Sequence, residues 1–183
     1  MKQNTVNKSN PLKVADIFCG AGGFSEGFRQ MGFEIAFALD NWGPAIETHK
    51  LNHPNCNHMQ MNILELNSPN KINSVIPDTE ILIGSPPCVA FSGSNKAGKA
   101  DKTLGVQLIE AYLRIVAVKL NKKDSILKYW ILENVPNSQS YIKESYTYEE
   151  LGLPGKEIAL KVKTRNVLNA ANYGTPQTRS RFF

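Results

Sequence analysis

The most constraining feature of this chain is the stretch from Lys13 to Gly27, where an apolar run, KVADIF, breaks into Cys19-Gly20-Ala21-Gly22-Gly23 before the chain resumes as FSEG. The run reads as a buried strand, and Phe24 to Met31 reads as a helix. Small residues at such a strand-to-helix turn let a ligand approach the backbone closely. A strand, a glycine turn and a helix in that order are the opening of a βαβ unit, and such units build parallel sheets.

The alternation continues. Phe33 to Asp40 (FEIAFALD) predicts a second strand, Pro44 to Leu51 a second helix, and His58 to Ile63 a third strand followed by a Pro- and Asn-containing connection. Glu80 to Gly84 (EILIG) predicts a fourth strand, Leu104 to Leu120 a long helix, and Tyr129 to Leu132 a fifth strand. A helix is expected around Glu144 to Leu151 and a sixth strand over Val162 to Leu168. The fold class that follows is α/β, a mostly parallel sheet with helices on both faces. With 183 residues, 42% of them hydrophobic, the chain suits one domain. Residues 1–10 read as a disordered tail and 11–183 as the domain.

The glycines narrow the ligand. A dinucleotide fingerprint starting at Gly20 requires glycine at position 25, where this chain has Ser25; its glycines stand at 20, 22, 23 and 27. This spacing disfavours an NAD-dependent oxidoreductase. Asp40 ends the second strand twenty residues after Gly20, where a carboxylate can accept from both hydroxyls of a ribose. A tight turn with no ligand is the competing reading of the glycines, and Asp40 weighs against it.

Three further strand ends carry reactive groups. Gly84-Ser85-Pro86-Pro87-Cys88 places a thiol on a proline-stiffened loop at the carboxyl end of a strand, where open α/β sheets bind their ligands. A lone cysteine is more often an inert small hydrophobe, so its neighbours must decide. Glu133-Asn134-Val135 follows the fifth strand, and Gln177-Thr178-Arg179-Ser180-Arg181 sets two arginines two apart in an extended segment, on one side of the chain. Three such features at matching strand tips outweigh the inert reading.

The motifs DIFCGAGG, SPPC, ENV and QTRSR, in this order from Val14 to Phe183, resemble the DNA cytosine-C5 methyltransferase family. The resemblance implies a Rossmann-like methyltransferase fold, incomplete at the C-terminus, that binds S-adenosylmethionine and releases S-adenosylhomocysteine. It also implies a cytosine flipped out of double-stranded DNA as substrate. By the same resemblance Cys88 is the nucleophile, Glu133 holds the cytosine edge, and Arg179 and Arg181 order the site and contact the cytosine carbonyl oxygen. Phe18, Gly20, Gly22 and Gly23 cradle the methionine moiety, Asp40 with Asn41 meets the ribose, Asn62 and Ile63 meet the adenine, and Pro87 borders the cofactor. Departures from the family pattern are Val89 after the nucleophile, Asn62 in place of an aspartate, Asn41-Trp42 beside the ribose acid, and Thr103-Leu104-Gly105 leading into the long helix.

Two rivals share much of this reading: a tRNA cytosine-C5 methyltransferase of the same fold, and a non-catalytic subunit that only binds S-adenosylmethionine. Cys88, Glu133, Arg179 and Arg181 together argue against the second. The charge, +5 from 21 Lys and Arg against 16 Asp and Glu, suits a polyanion without requiring one. Lys96, Lys99 and Lys102 could line up with phosphates or form a solvated loop. Cys19, Cys56 and Cys88 make no paired framework, and no apolar leader or membrane span is evident, so a reducing cytoplasm is expected. His49, His53, Cys56 and His58 follow no usual zinc spacing, and no metal is expected. Because Arg181-Phe182-Phe183 reads as the start of a seventh strand, target recognition is expected from a further region or a second chain, and the chain alone is expected not to methylate DNA.

Overall fold

The computed structural model describes residues 10–87 and 102–183. Cys88, Val89, Lys96, Lys99 and the expected tail over residues 1–9 lie outside the described residues.

Five strands form one wholly parallel sheet: β1 (Lys13–Ile17), β2 (Glu34–Asp40), β3 (Asn57–Gln60), β4 (Ile81–Gly84) and β5 (Tyr129–Leu132), in the order β3-β2-β1-β4-β5. β1 is central, and Val14 to Ile17 are wholly buried, as expected of a strand covered on both faces. The first crossover runs through α1 (Gly23–Gln30) and the second through α2 (Gly43–Asn52). Phe24 and Phe28 of α1 and Ile46 of α2 pack with Val14, Ile35, Ala38, Ile81 and Ile83 on one face of the sheet. The other face, with Ala15, Ile17, Leu39 and Leu82, is covered by α3 (Pro69–Val75) and α4 (Lys102–Leu120). α4 is apolar nearly all round from Ala111 to Val118, which explains its burial against the sheet rather than on the surface. The fold is the Rossmann-like α/β architecture that the alternation predicts.

Past β5 the sequence expectations need correction. The segment expected as a helix over residues 144–151 is strand β6 (Ser145–Thr147) and a turn. Tyr146 enters the core from an extended segment, and the reciprocal bonds of Thr147 and Glu150, a helix-start arrangement, cap only a turn that ends at Gly152 with φ 67°. Of the sixth strand expected over residues 162–168, only Val167 and Leu168 are in a strand, β8 (Val167–Asn169); β7 (Ile158–Lys161), antiparallel to β6, ends before it begins. β8 pairs antiparallel with β9 (Ser180–Phe182), which holds the expected terminal strand. This ribbon joins the end of β5 through one bridge, Asn134 to Phe182. Within the connection expected after β3, Ser68 caps α3 by accepting from Lys71 N–H, with Pro69 at its first position.

Among the described residues no helix is long and apolar enough to cross a membrane.

Candidate active site

The strand register fixes the site. Leu39, Ile17, Gly84 and Leu132 are successive cross-strand partners in β2, β1, β4 and β5. The residues one step further, Asp40, Phe18, Ser85 and Glu133, therefore form a row along the carboxyl ends of four parallel strands. The order reverses between β1 and β4, and a crevice at that reversal is where open α/β sheets accept ligands.

On the β1–β2 side the row carries a glycine turn and a carboxylate. After Ile17 the backbone turns sharply: Phe18 has φ 66°, Gly20 φ 53° and Gly22 φ 99°. Phe18 and Cys19 both donate their N–H to Leu39 O, at 2.8 and 3.1 Å, which ties the turn to the end of β2. Asp40 Oδ2 accepts from Gly20 N–H and Oδ1 from Trp42 N–H, each at 2.9 Å. A carboxylate has about four acceptor positions, so two remain for a ribose diol. A Cβ at Gly20 or Gly23 would meet no atom within 4 Å, so both glycines border open space. These features fit the adenosyl cofactor expected for the fold.

The remaining expected contacts are placed as follows. Met61 N–H donates to Asp40 O and brings Asn62 and Ile63 beside the ribose end. Asn62 Oδ1 accepts from Leu64 N–H at 3.0 Å, which caps a short 3₁₀ turn. The Ile63 side chain is buried in the core, leaving its backbone for a ligand. Asn41 is exposed, and so is the Trp42 indole at the start of α2. Gly22 has a different reason for its size: a Cβ there would come within 2.7 Å of His53 Nε2. Its smallness serves packing against α2.

On the β4–β5 side, Glu133 is the hub. Its Oε1 pairs with Arg181 Nε at 2.9 Å, and its Oε2 accepts from Ser85 Oγ at 2.5 Å. Asn134 is 1% exposed, and its side-chain amide donates to Pro86 O at 3.1 Å. Pro87 is exposed at the opening. The loop leading to Cys88 is thus held by Glu133 and Asn134 together. Sequence reasoning missed both Ser85 and Asn134 as supports, although each adjoins or lies within a motif it singled out. Arg179 is exposed and stands apart from the Glu133–Arg181 pair.

An apolar cavity lies elsewhere. It has a volume of about 1350 Å³ and runs beside β5 between Trp130, Ile142, Leu160 and Phe182. None of the strand-tip residues lines it.

A buried polar group lies behind the nucleoside turn. Asp16 is fully buried, and burial pushes its carboxyl up to about 7 against the lowering effect of its bonds to Ser25. His49, Cys56 and His58, for which spacing along the chain gave no metal pattern, converge here with their ligand atoms within 4.8 Å of one another.

The sequence pattern of the C-5 cytosine-specific DNA methylases matches residues 12–183. The chain belongs to that family. It is 35% identical over 94% of its length to the Type II methyltransferase M.HgiDI of Herpetosiphon aurantiacus. It is 36% identical over 93% of its length to M.HindV of Haemophilus influenzae. It covers 51% of each, so the chain spans about half the length of these bacterial relatives. The fold matches a prophage-encoded DNA modification methyltransferase of E. coli with a TM-score of 0.65 at 24% identity, over 93% of this chain and 45% of that one. In this family member the glycine turn after β1 and the carboxylate of Glu133 stand on one row of strand tips.

Proposed function

We propose that the chain is the catalytic lobe of a DNA cytosine-C5 methyltransferase, with S-adenosylmethionine at the Gly20–Gly23 turn and the target cytosine between Ser85–Cys88 and Glu133. The observation that carries this reading is the shared row: a ribose-type carboxylate, Asp40, and a base-edge carboxylate, Glu133, stand on the two sides of the β1–β4 crevice.

Cytosine C5 is a poor carbon nucleophile. Addition of the Cys88 thiolate to C6, with a proton from Glu133 to N3, gives C5 enamine character. Arg181 holds Glu133 Oε1 and Ser85 holds Oε2, so the carboxyl plane is fixed before the base arrives. Asn134 fixes Pro86 and with it the start of the loop that ends in the nucleophile. S-adenosylmethionine, when bound, supplies the electrophilic methyl group. Loss of the C5 proton to a base then lets the Cys88 sulfur leave. Arg179, exposed on the same segment, is assigned to the nucleic acid.

The test is transfer of a tritiated methyl group to mixed-sequence duplex DNA and, in parallel, to purified tRNA. Because the relatives run to about twice this length, the assay uses the chain alone and the chain with the product of any adjacent reading frame. Transfer to DNA that is lost in Cys88→Ser and Glu133→Gln supports the reading. Transfer to tRNA alone, or transfer that survives Cys88→Ser, contradicts it.

A further inference from the structure

We propose that His49, Cys56 and His58 form a binding site for a divalent cation of the zinc class, behind the cofactor turn and separate from the strand-tip row. α2 supplies His49, the turn after it Cys56, and β3 His58. The two nitrogens and the sulfur lie within 4.8 Å of one another, with His49 wholly buried and Cys56 nearly so.

The hydrogen bonds turn two ring nitrogens toward one point, where a cation could sit. Ser25 Oγ gives its one proton to Asp16 Oδ2 at 2.7 Å, so toward His49 Nε2, 3.2 Å away, it can only accept. His49 therefore carries its proton on Nε2, and its bare Nδ1 faces His58 Nε2 at 2.8 Å. A neutral His58 has one ring proton, and the bare His49 Nδ1 accepts it from His58 Nε2. A cation between the two nitrogens would take the place of that shared proton, with His58 protonated on its other nitrogen.

Geometry and charge agree. Tetrahedral zinc at about 2.0–2.1 Å from each nitrogen requires them roughly 3.3 Å apart, a widening of about half an ångström. Cys56 would bind as a thiolate, its proton displaced by the metal. His58 is only half-buried, which leaves a fourth position open to water. The chain from His49 through Ser25 to the Asp16 carboxylate is the outer-shell arrangement that orients metal-bound histidines. Asp16 Oδ1 is buried with no hydrogen-bond partner. Bound metal would lock α2 to β3, with His53 stacked on His49 at 4.5 Å and against Gly22.

The test uses the tag-free 183-residue chain in a Cys88→Ser background, so that Cys56 is the candidate thiolate. Elemental analysis after growth with zinc, and titration of the metal-free protein with cobalt(II), are compared with Cys56→Ser, His49→Gln and Ser25→Ala. Circular dichroism confirms that each variant is folded. Expected are one zinc per chain and a near-ultraviolet thiolate-to-cobalt band that vanishes in Cys56→Ser. Affinity should fall by about tenfold to a hundredfold in Ser25→Ala. A folded chain that binds neither ion, or binding unchanged by Cys56→Ser and His49→Gln, overturns the proposal.

Discussion

The Glu133 carboxylate and the Arg181 guanidinium meet at 2.9 Å, Oε1 to Nε, although 47 residues of chain separate β5 from β9 at that point. Each side chain is about one-fifth exposed, so the pair is largely shielded but not wholly desolvated. Arg181→Ala should cost about 1–2 kcal/mol in folding stability, because it leaves a half-buried carboxylate with Ser85 as its remaining partner. It should abolish methyl transfer while S-adenosylhomocysteine affinity stays within about twofold. Arg181→Lys keeps the charge without the planar fork and should recover stability better than activity. Urea melts and calorimetry on the same samples check both halves, and an equal loss of cofactor affinity would refute the division of the site.

Gly84 ends β4 against the ring of Tyr112. An added Cβ would meet that ring at 2.5 Å, and the ring is itself fixed by hydroxyl contacts to Leu82 O and Ile131 O at 3.1 and 2.8 Å. Gly84→Ala should destabilise by about 1–3 kcal/mol through overpacking. Tyr112→Phe should cost about 1 kcal/mol by leaving buried carbonyls short of a donor. Removing only the hydroxyl leaves the clash in place, so the double variant should be no more stable than Gly84→Ala alone. Urea midpoints test this.

Cys19 and Cys56 are buried, and burial raises both thiols, Cys56 to about 12 and Cys19 further. Thiolate is the reactive form. In chelator-treated, folded protein at pH 8, iodoacetamide should therefore label Cys88 first and the other two only on unfolding. Peptide mass spectrometry gives the order, and early labelling of Cys19 would contradict the burial argument.

The pH dependence of stability should carry the mark of Asp16. Burial, with a smaller push from Asp40, raises its folded pKa from 3.8 to about 7 despite the Ser25 hydrogen bonds. Between those values the folded state holds the proton that the unfolded chain has lost, so stability falls as pH rises through the window. The slope from this group is at most about 1.4 kcal/mol per pH unit. Subtracting the profile of Asp16→Asn from that of wild type isolates it, and a difference that is flat from pH 4 to 7 would contradict the burial argument.

How much of this was legible in the sequence follows from what each element depends on. β1, α1, β2, α2, β4, α4 and β5 are read nearly to the residue because the strands and α4 are apolar runs and the mixed helices α1 and α2 open at Gly23 and at Gly43-Pro44, so packing only confirms the local signal. The segment after Glu144 failed because the burial of Tyr146 is a tertiary fact, which overrides the local helix-start signal of Thr147 and Glu150. α3 was missed although its Ser68-Pro69 start was visible. In the site, motif residues were found by their strand ends, and Asp40 and Glu133 fell on one row. Arg179 was paired with Arg181 by alternation, whereas the fold leaves it exposed. Ser85 and Asn134 hold other groups rather than reacting, and the convergence of His49, Cys56 and His58 depends on how α2 lies on β3. Neither has a signature in linear spacing.

The most direct test of the central claim is calorimetric titration of the folded 183-residue chain with S-adenosylhomocysteine, beside Asp40→Asn and Asp40→Ala. Asp40 holds Gly20 and Trp42 as well as facing the crevice, so Asp40→Asn, which keeps one side-chain acceptor, separates loss of the ribose contact from collapse of the turn. One site per chain is expected, weakened at least tenfold in Asp40→Asn and undetectable in Asp40→Ala, with circular dichroism unchanged. A folded wild-type chain that binds no S-adenosylhomocysteine, or an affinity indifferent to both substitutions, would contradict the account.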